Sequence, residues 1–174
     1  MKNILISTFA IALSLTATQA VFANAPVVDV ASVTISFSED STLLSQADKD
    51  SLQSLFNTAE QRGYTTDKIT IAAWSDQDLP PRGASLTDAD ENLASARADA
   101  IAAYAKANLS ITTVQEYNMA ESSNWLARTF NTKDAKLKSV FSKRMASTPV
   151  TNSAFRMIRH DGGASKAVVV IEAK

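Results

Sequence analysis

The run Ile69-Thr70-Ile71-Ala72-Ala73-Trp74 is the tightest constraint on how this chain folds. A half-buried strand alternates apolar and polar residues, but here Ile69, Ile71 and Ala73 are joined by apolar Ala72 and Trp74 at the intervening positions. Such a strand needs cover on both faces and belongs near the middle of a sheet. Ser75-Asp76 ends it.

The rest of the chain supplies partners for that strand. Val33, Ile35 and Phe37 alternate with Thr34 and Ser36, which predicts a strand with one buried face, stopping at Ser38-Glu39-Asp40. A helix is expected from about Ser45, where Ser45-Gln46-Ala47-Asp48 has the form of a capping box; Leu52, Leu55, Phe56 and Ala59 share its inner face and Gly63 stops it. After a polar loop containing Pro80-Pro81 and Gly83, a second helix opens near Thr87 or Asp88. Asp88, Asp90 and Glu91 sit where the helix dipole favours acids, and Ala94, Ala98, Ile101 and Ala105 form the inner stripe.

A third strand is expected at Thr112 to Tyr117. Helix in two pieces follows between Glu121 and Met145, with Trp125, Leu126, Leu137, Val140 and Phe141 as its apolar positions. Phe155 to Arg159 and Ala167 to Ile171, separated by Asp161-Gly162-Gly163-Ala164-Ser165, read as a terminal hairpin. The order of elements implies an α/β domain, an open sheet with helices on one face.

The amino-terminal end reads as an export signal. Met1-Lys2-Asn3 carries one positive charge and residues 4–15 are almost wholly apolar, a run shorter than the ~20 residues that span a bilayer. Small residues precede two candidate cleavage points, and the cut is expected after Ala23 rather than Ala20. The expected organisation is therefore a signal at 1–23, a lead-in at 24–32, and one domain at 33–174 with an enlarged helical segment at 124–147. The expected location is the periplasm, with no membrane span after processing.

With no cysteine, neither lipid acylation at a new amino terminus nor disulfides, cysteine-ligated zinc or thiol catalysis enter the reading. Four glycines and four prolines in 174 residues argue for a folded chain, and a net charge of −1 gives no basic field to attract nucleic acid.

The motifs of catalysis are missing. His160 is the one histidine and stands beside a glycine turn, where a surface role is expected. There is no Gly-x-Ser-x-Gly, Ser-x-x-Lys or His-Glu-x-x-His pattern, no phosphate loop and no dinucleotide fingerprint. Asp88-Ala89-Asp90-Glu91 lacks the spacing and central glycine of a calcium loop, so helix capping is its reading. No cofactor, metal or catalytic residue is expected.

One pair remains. Asp76 closes the double-faced strand and Arg97 lies in the helix that follows, and strand ends and adjoining helix starts edge one crevice in an open α/β sheet. A carboxylate beside a guanidinium suits a zwitterion, the first holding an ammonium group and the second a carboxylate. On spacing alone the structural alternative is favoured, in which Asp76 turns the chain or caps a nearby helix while Arg97 forms a local ion pair with Asp76, Asp90 or Glu91.

These residues carry a resemblance. Ala73-Trp74-Ser75-Asp76 is similar to the Gly-x-Thr-Asp strand end of OmpA-like domains, cell-wall-binding modules that occur in outer-membrane protein A, peptidoglycan-associated lipoprotein and flagellar stator proteins. Leu93-Ala94-Ser95-Ala96-Arg97-Ala98-Asp99-Ala100-Ile101 resembles that family's Leu-Ser-x-x-Arg-Ala-x-x-Val helix, and Met119-Ala120-Glu121-Ser122 its Gly-Met-Gly-Glu-Ser turn. The resemblance runs from about Val33 to Ser122, with a looser fit at the closing strand.

It implies a βαβαβ(α)β open mixed sheet with helices on one face, and a non-enzymatic module that binds peptidoglycan. In that reading Asp76 takes the ammonium and Arg97 a carboxylate of the stem peptide's diaminopimelate, with Trp74, Ser75, Asp90 and Ala94 at the pocket rim. The chain departs from the family in having Ala73 for glycine, Ala94 for serine, Asp90 for asparagine and a longer loop between Asp76 and Leu93. An OmpA-like fold that binds an envelope protein instead, through the 124–147 segment, is the rival expectation.

Overall fold

The structure is a computed structural model and describes residues 30–64, 66–78, 85–121, 132–143 and 150–172. The expected signal at 1–23, most of the lead-in, Pro80-Pro81 and Gly83, Trp125 and Leu126, and all of the 124–147 segment except its middle lie outside the described residues.

Four strands form one sheet in the order β1-β4-β2-β3: β1 at Val30–Ser36, β2 at Lys68–Ala73, β3 at Thr113–Asn118 and β4 at Lys166–Glu172. β2 runs parallel to β3, and β4 runs antiparallel to both of its neighbours, so the sheet is mixed. β1 begins at Val30, three residues inside the expected lead-in. The double-faced apolar run of β2 takes the interior place its composition demands.

Helices α1 (Gln46–Gln61) and α2 (Asp88–Asn108) are both closed at their starts by capping boxes, Ser45 with Asp48 as expected and Thr87 with Asp90 where only a helix start and acidic first turn were expected. Leu52, Leu55, Phe56 and Ala59 of α1 and Ala94, Ala98, Ile101 and Ala105 of α2 are buried as their spacing predicts. Gly63, just past α1, has φ of +75°, a left-handed stop that a side chain would disfavour.

The carboxyl-terminal third differs from expectation in two ways. Residues 152–161 are not the first strand of a hairpin but a helix, α4 (Asn152–Asp161), which follows α3 (Lys133–Lys143). Phe155 to Arg159 fits a two-residue period as well as a helical one. What decides is Thr151, whose hydroxyl accepts from the Ala154 N–H at 3.2 Å, and the burial of Ala154 and Ile158 one turn apart. β4 accordingly pairs with β1 and β2 rather than with its preceding segment.

The second difference is that helices cover both faces of the sheet, not one. Ala167, Val169 and Ile171 of β4 join the core under α1 and α2, while Val168 and Val170 join a second core with Leu137 and Val140 of α3 and Ala154 and Ile158 of α4. The physical cause is the composition of the central strands: β2 and β4 are apolar at both parities, and a bare face would leave Ala72, Val168 and Val170 in water. Tyr117, Phe141 and Phe155 knit that second core with edge-on ring contacts, the first pair at 4.6 Å.

Candidate ligand-binding site

The carboxyl ends of β1, β2 and β3 and the start of β4 meet at one end of the sheet. Three backbone bonds tie this corner together beyond the ladders. Phe37 N–H donates to Ser165 O at 2.8 Å, Trp74 N–H to Lys166 O at 2.9 Å, and Ser165 N–H to Ser75 O at 2.7 Å. Ser165 holds a left-handed φ of 57° to do so.

Asp76 stands at this corner, and α2 brings Arg97 to it. The two join at 2.7 Å, Arg97 Nη2 to Asp76 Oδ1, with the arginine side chain 0 % exposed and the aspartate side chain 17 % exposed. Arg97 is in addition held by its own chain. Its Nε donates to Ser41 O at 2.8 Å, its Nη1 to Trp74 O at 3.0 Å and its Nη2 also to Ser38 O at 3.1 Å. The Phe37 ring lies 4.9 Å from the guanidinium carbon, within cation–π range.

Asp76 is equally engaged. Oδ1 also accepts from the Ser165 hydroxyl and Oδ2 from the Asp40 N–H, both at 2.7 Å. Burial pushes this carboxyl up, but the Asp40 N–H, the Ser165 hydroxyl and the Arg97 guanidinium together outweigh it and hold the group below the ordinary 3.8. Asp40 takes φ of 52° to present its N–H, a conformation that aspartate tolerates better than most residues.

The residues expected at the rim divide. Asp90 is part-exposed and caps α2, its Oδ2 accepting from the Thr87 hydroxyl at 2.7 Å and the Thr87 N–H at 3.1 Å. The Thr87 hydroxyl chiefly holds its carboxyl below 3.8, with help from Ser75, against burial and the nearby charge of Asp76. The other three, Trp74, Ser75 and Ala94, are buried. Trp74 points into the second core, where its ring lies so near Gly162 that a Cβ there would meet Cη2 at 2.0 Å; only its carbonyl reaches Arg97.

Four contributors escaped the sequence reading: Ser38, Asp40 and Ser41 in the loop after β1, and Ser165. Their signals were weak, since Ser38-Glu39-Asp40 and Ala164-Ser165 show only turn chemistry. Asn118, at the end of β3, fastens the same region by donating to Glu91 O at 2.7 Å and Ser95 Oγ at 2.9 Å. Among the described residues, no group of three or more histidine, aspartate or glutamate side chains is placed to hold a metal ion. No helix among them is long and apolar enough to cross a membrane.

Neither a family model nor a curated protein matches this sequence. Solved structures do. The chain is similar to an OmpA-like domain, that of FopA1 from Francisella tularensis subsp. tularensis SCHU S4. The two share 12 % identity with a TM-score of 0.45, over 83 % of this chain and 73 % of the other.

Proposed function

We propose that this chain binds peptidoglycan non-covalently, in the periplasm and without catalysis, by receiving the diaminopimelate of the stem peptide at the Asp76 corner. The observation that carries the reading is the 2.7 Å meeting of Asp76 and Arg97, two residues 21 positions apart that stand on the strand end and helix the motif resemblance assigns them. Asp76 is the contact residue for the ligand's ammonium group: it is charged at neutral pH and reaches solvent. Asp90 adds a second negative charge close enough for the two carboxyls to sense each other, which favours a cation there.

Arg97 has a different part from the one the motif alone implies. Four of its donor contacts go to the chain itself, so it is first a positioning residue that fixes Asp76 and the loop after β1. A ligand carboxylate meets it only when that loop yields. Each charge-assisted bond contributes about 1.5–3 kcal/mol net against an association cost of several kcal/mol, which points to binding between about micromolar and millimolar.

The burial of Arg97 and its four bonds to its own chain favour a second reading, an OmpA-like fold that serves as a protein–protein module of the envelope. Co-sedimentation with diaminopimelate-type cell wall separates the two. The first reading expects wild type to pellet, free diaminopimelate to release it, and folded Asp76→Asn to stay in solution. Failure of wild type to pellet, or pelleting that ignores both the competitor and the substitution, leaves the second reading.

A further inference from the structure

The sheet has two outer strands, and they differ. β3 carries Glu116 near its middle, the kind of charge that discourages another strand from adding to an edge. β1, Val-Ala-Ser-Val-Thr-Ile-Ser, has no charge, proline or glycine, and its seven residues pair with β4 in unbroken register without a bulge. None of the devices that blunt an edge strand is present in it. Among the described residues, no strand lies on its other side.

Beside that edge runs an open groove of about 600 Å³, floored by Ala31, Ser32 and Val33 and walled by α1. The wall carries a row of exposed residues about one turn apart, Asp50, Ser54, Thr58 and Arg62, the last just past the end of α1, with Ser51 and Leu55 beside the row. It therefore has an acid at one end, a base at the other and hydroxyls between. A surface of that kind is complementary to itself when turned through a twofold axis.

We infer that β1 and α1 form the interface of a homodimer in which two β1 strands pair antiparallel and join the sheets into one of eight strands. An axis through Val33 places Ala31 opposite Ile35 of the partner subunit and Val30 opposite Ser36 of the partner subunit. The same axis, passing between Ser54 and Thr58, sets Asp50 against Arg62 of the partner subunit and Arg62 against Asp50 of the partner subunit. The half-buried Ala31 and Val33, already packed on the first core, extend that core across the axis. This inference is independent of what the Asp76 corner binds.

Sedimentation velocity of the purified protein over a concentration series tests it. Wild type is expected to form a dimer, and Asp50→Arg or Arg62→Asp alone each to raise its dissociation constant about tenfold, since symmetry doubles the loss of one exposed ion pair. The double exchange Asp50→Arg/Arg62→Asp is expected to restore it, and Ser32→Lys, a charge placed on the edge, to leave only monomer with an unchanged circular dichroism spectrum. A monomer at every concentration, a dimer indifferent to Ser32→Lys, or a double exchange as weak as its singles overturns the inference.

Discussion

Arg97→Met keeps the aliphatic stem and removes every donor from a buried site. The carbonyls of Ser38, Ser41 and Trp74 each lose a bond, and Asp76 loses its counter-charge while keeping the Ser165 hydroxyl and the Asp40 N–H. Breaking a buried pair by deleting one partner costs about 3–5 kcal/mol. Because the Asp76 side chain is 17 % exposed and water can rehydrate it, the lower end applies, about 3 kcal/mol. For a domain of this size that lowers the melting temperature by about 6–12 °C.

Urea unfolding of wild type, Arg97→Met, Asp76→Asn and the double variant measures both the loss and the coupling. The pair should show a coupling of about 1–3 kcal/mol, the double variant being less damaged than the sum of the singles. A loss under about 1 kcal/mol with no coupling would refute the argument that Arg97 is a structural clasp. An increase in stability would mean that the guanidinium is held for a ligand at the expense of the fold.

Gly162→Ala should cost about 2–4 kcal/mol and alter the near-ultraviolet signal of Trp74, because the new Cβ would fall 2.0 Å from Cη2 and 2.6 Å from Ile158 O; φ there is −77°, so the cost is steric alone. Acid should act through Asp76 and Asp90, whose folded carboxyls both lie below 3.8. The stability they contribute is complete above that value and is lost as pH falls through their lower folded values, so unfolding free energy should be level above about pH 5 and fall below about pH 4, less steeply in Asp76→Asn. Equal slopes in the two proteins would refute that assignment.

How much of this was legible depended on whether local chemistry and tertiary packing agreed. Ser45 with Asp48, the start of α2 near Thr87 and the stripes of α1 and α2 were legible because cap, period and burial coincide at those positions. α4 was not, since Phe155-Arg156-Met157-Ile158-Arg159 satisfies two periods and only its seat on the second face of the sheet selects one. The second layer could have been inferred from the double-faced β2 and β4 themselves, which demand more cover than α1 and α2 supply. Asp76 and Arg97 were singled out as neighbours because charged residues at a strand end and in the next helix can converge in this architecture and the motif resemblance points to the same two, and the structure joins them. Ser165 and the loop after β1 were hidden because their contributions are backbone bonds and one hydroxyl, 89 residues from the carboxylate in the case of Ser165.

That loop is where the two functional readings part. For a ligand carboxylate to reach Arg97, the bonds to Ser38 O and Ser41 O must be exchanged for bonds to the ligand. The exchange replaces neutral acceptors by a charged one, and charge-assisted bonds are roughly twice as strong. Release of Asp40 from φ of 52° also works in the ligand's favour. Against it stand the bond from Asp40 N–H to Asp76 and the contact of Phe37 with the guanidinium, both of which belong to the closed corner. Asp76 needs no such rearrangement to meet an ammonium group. On the proposed reading the two halves of a zwitterion would be read unequally: an ammonium group would bind the corner as it stands, and a carboxylate would contribute only by displacing the chain's own carbonyls.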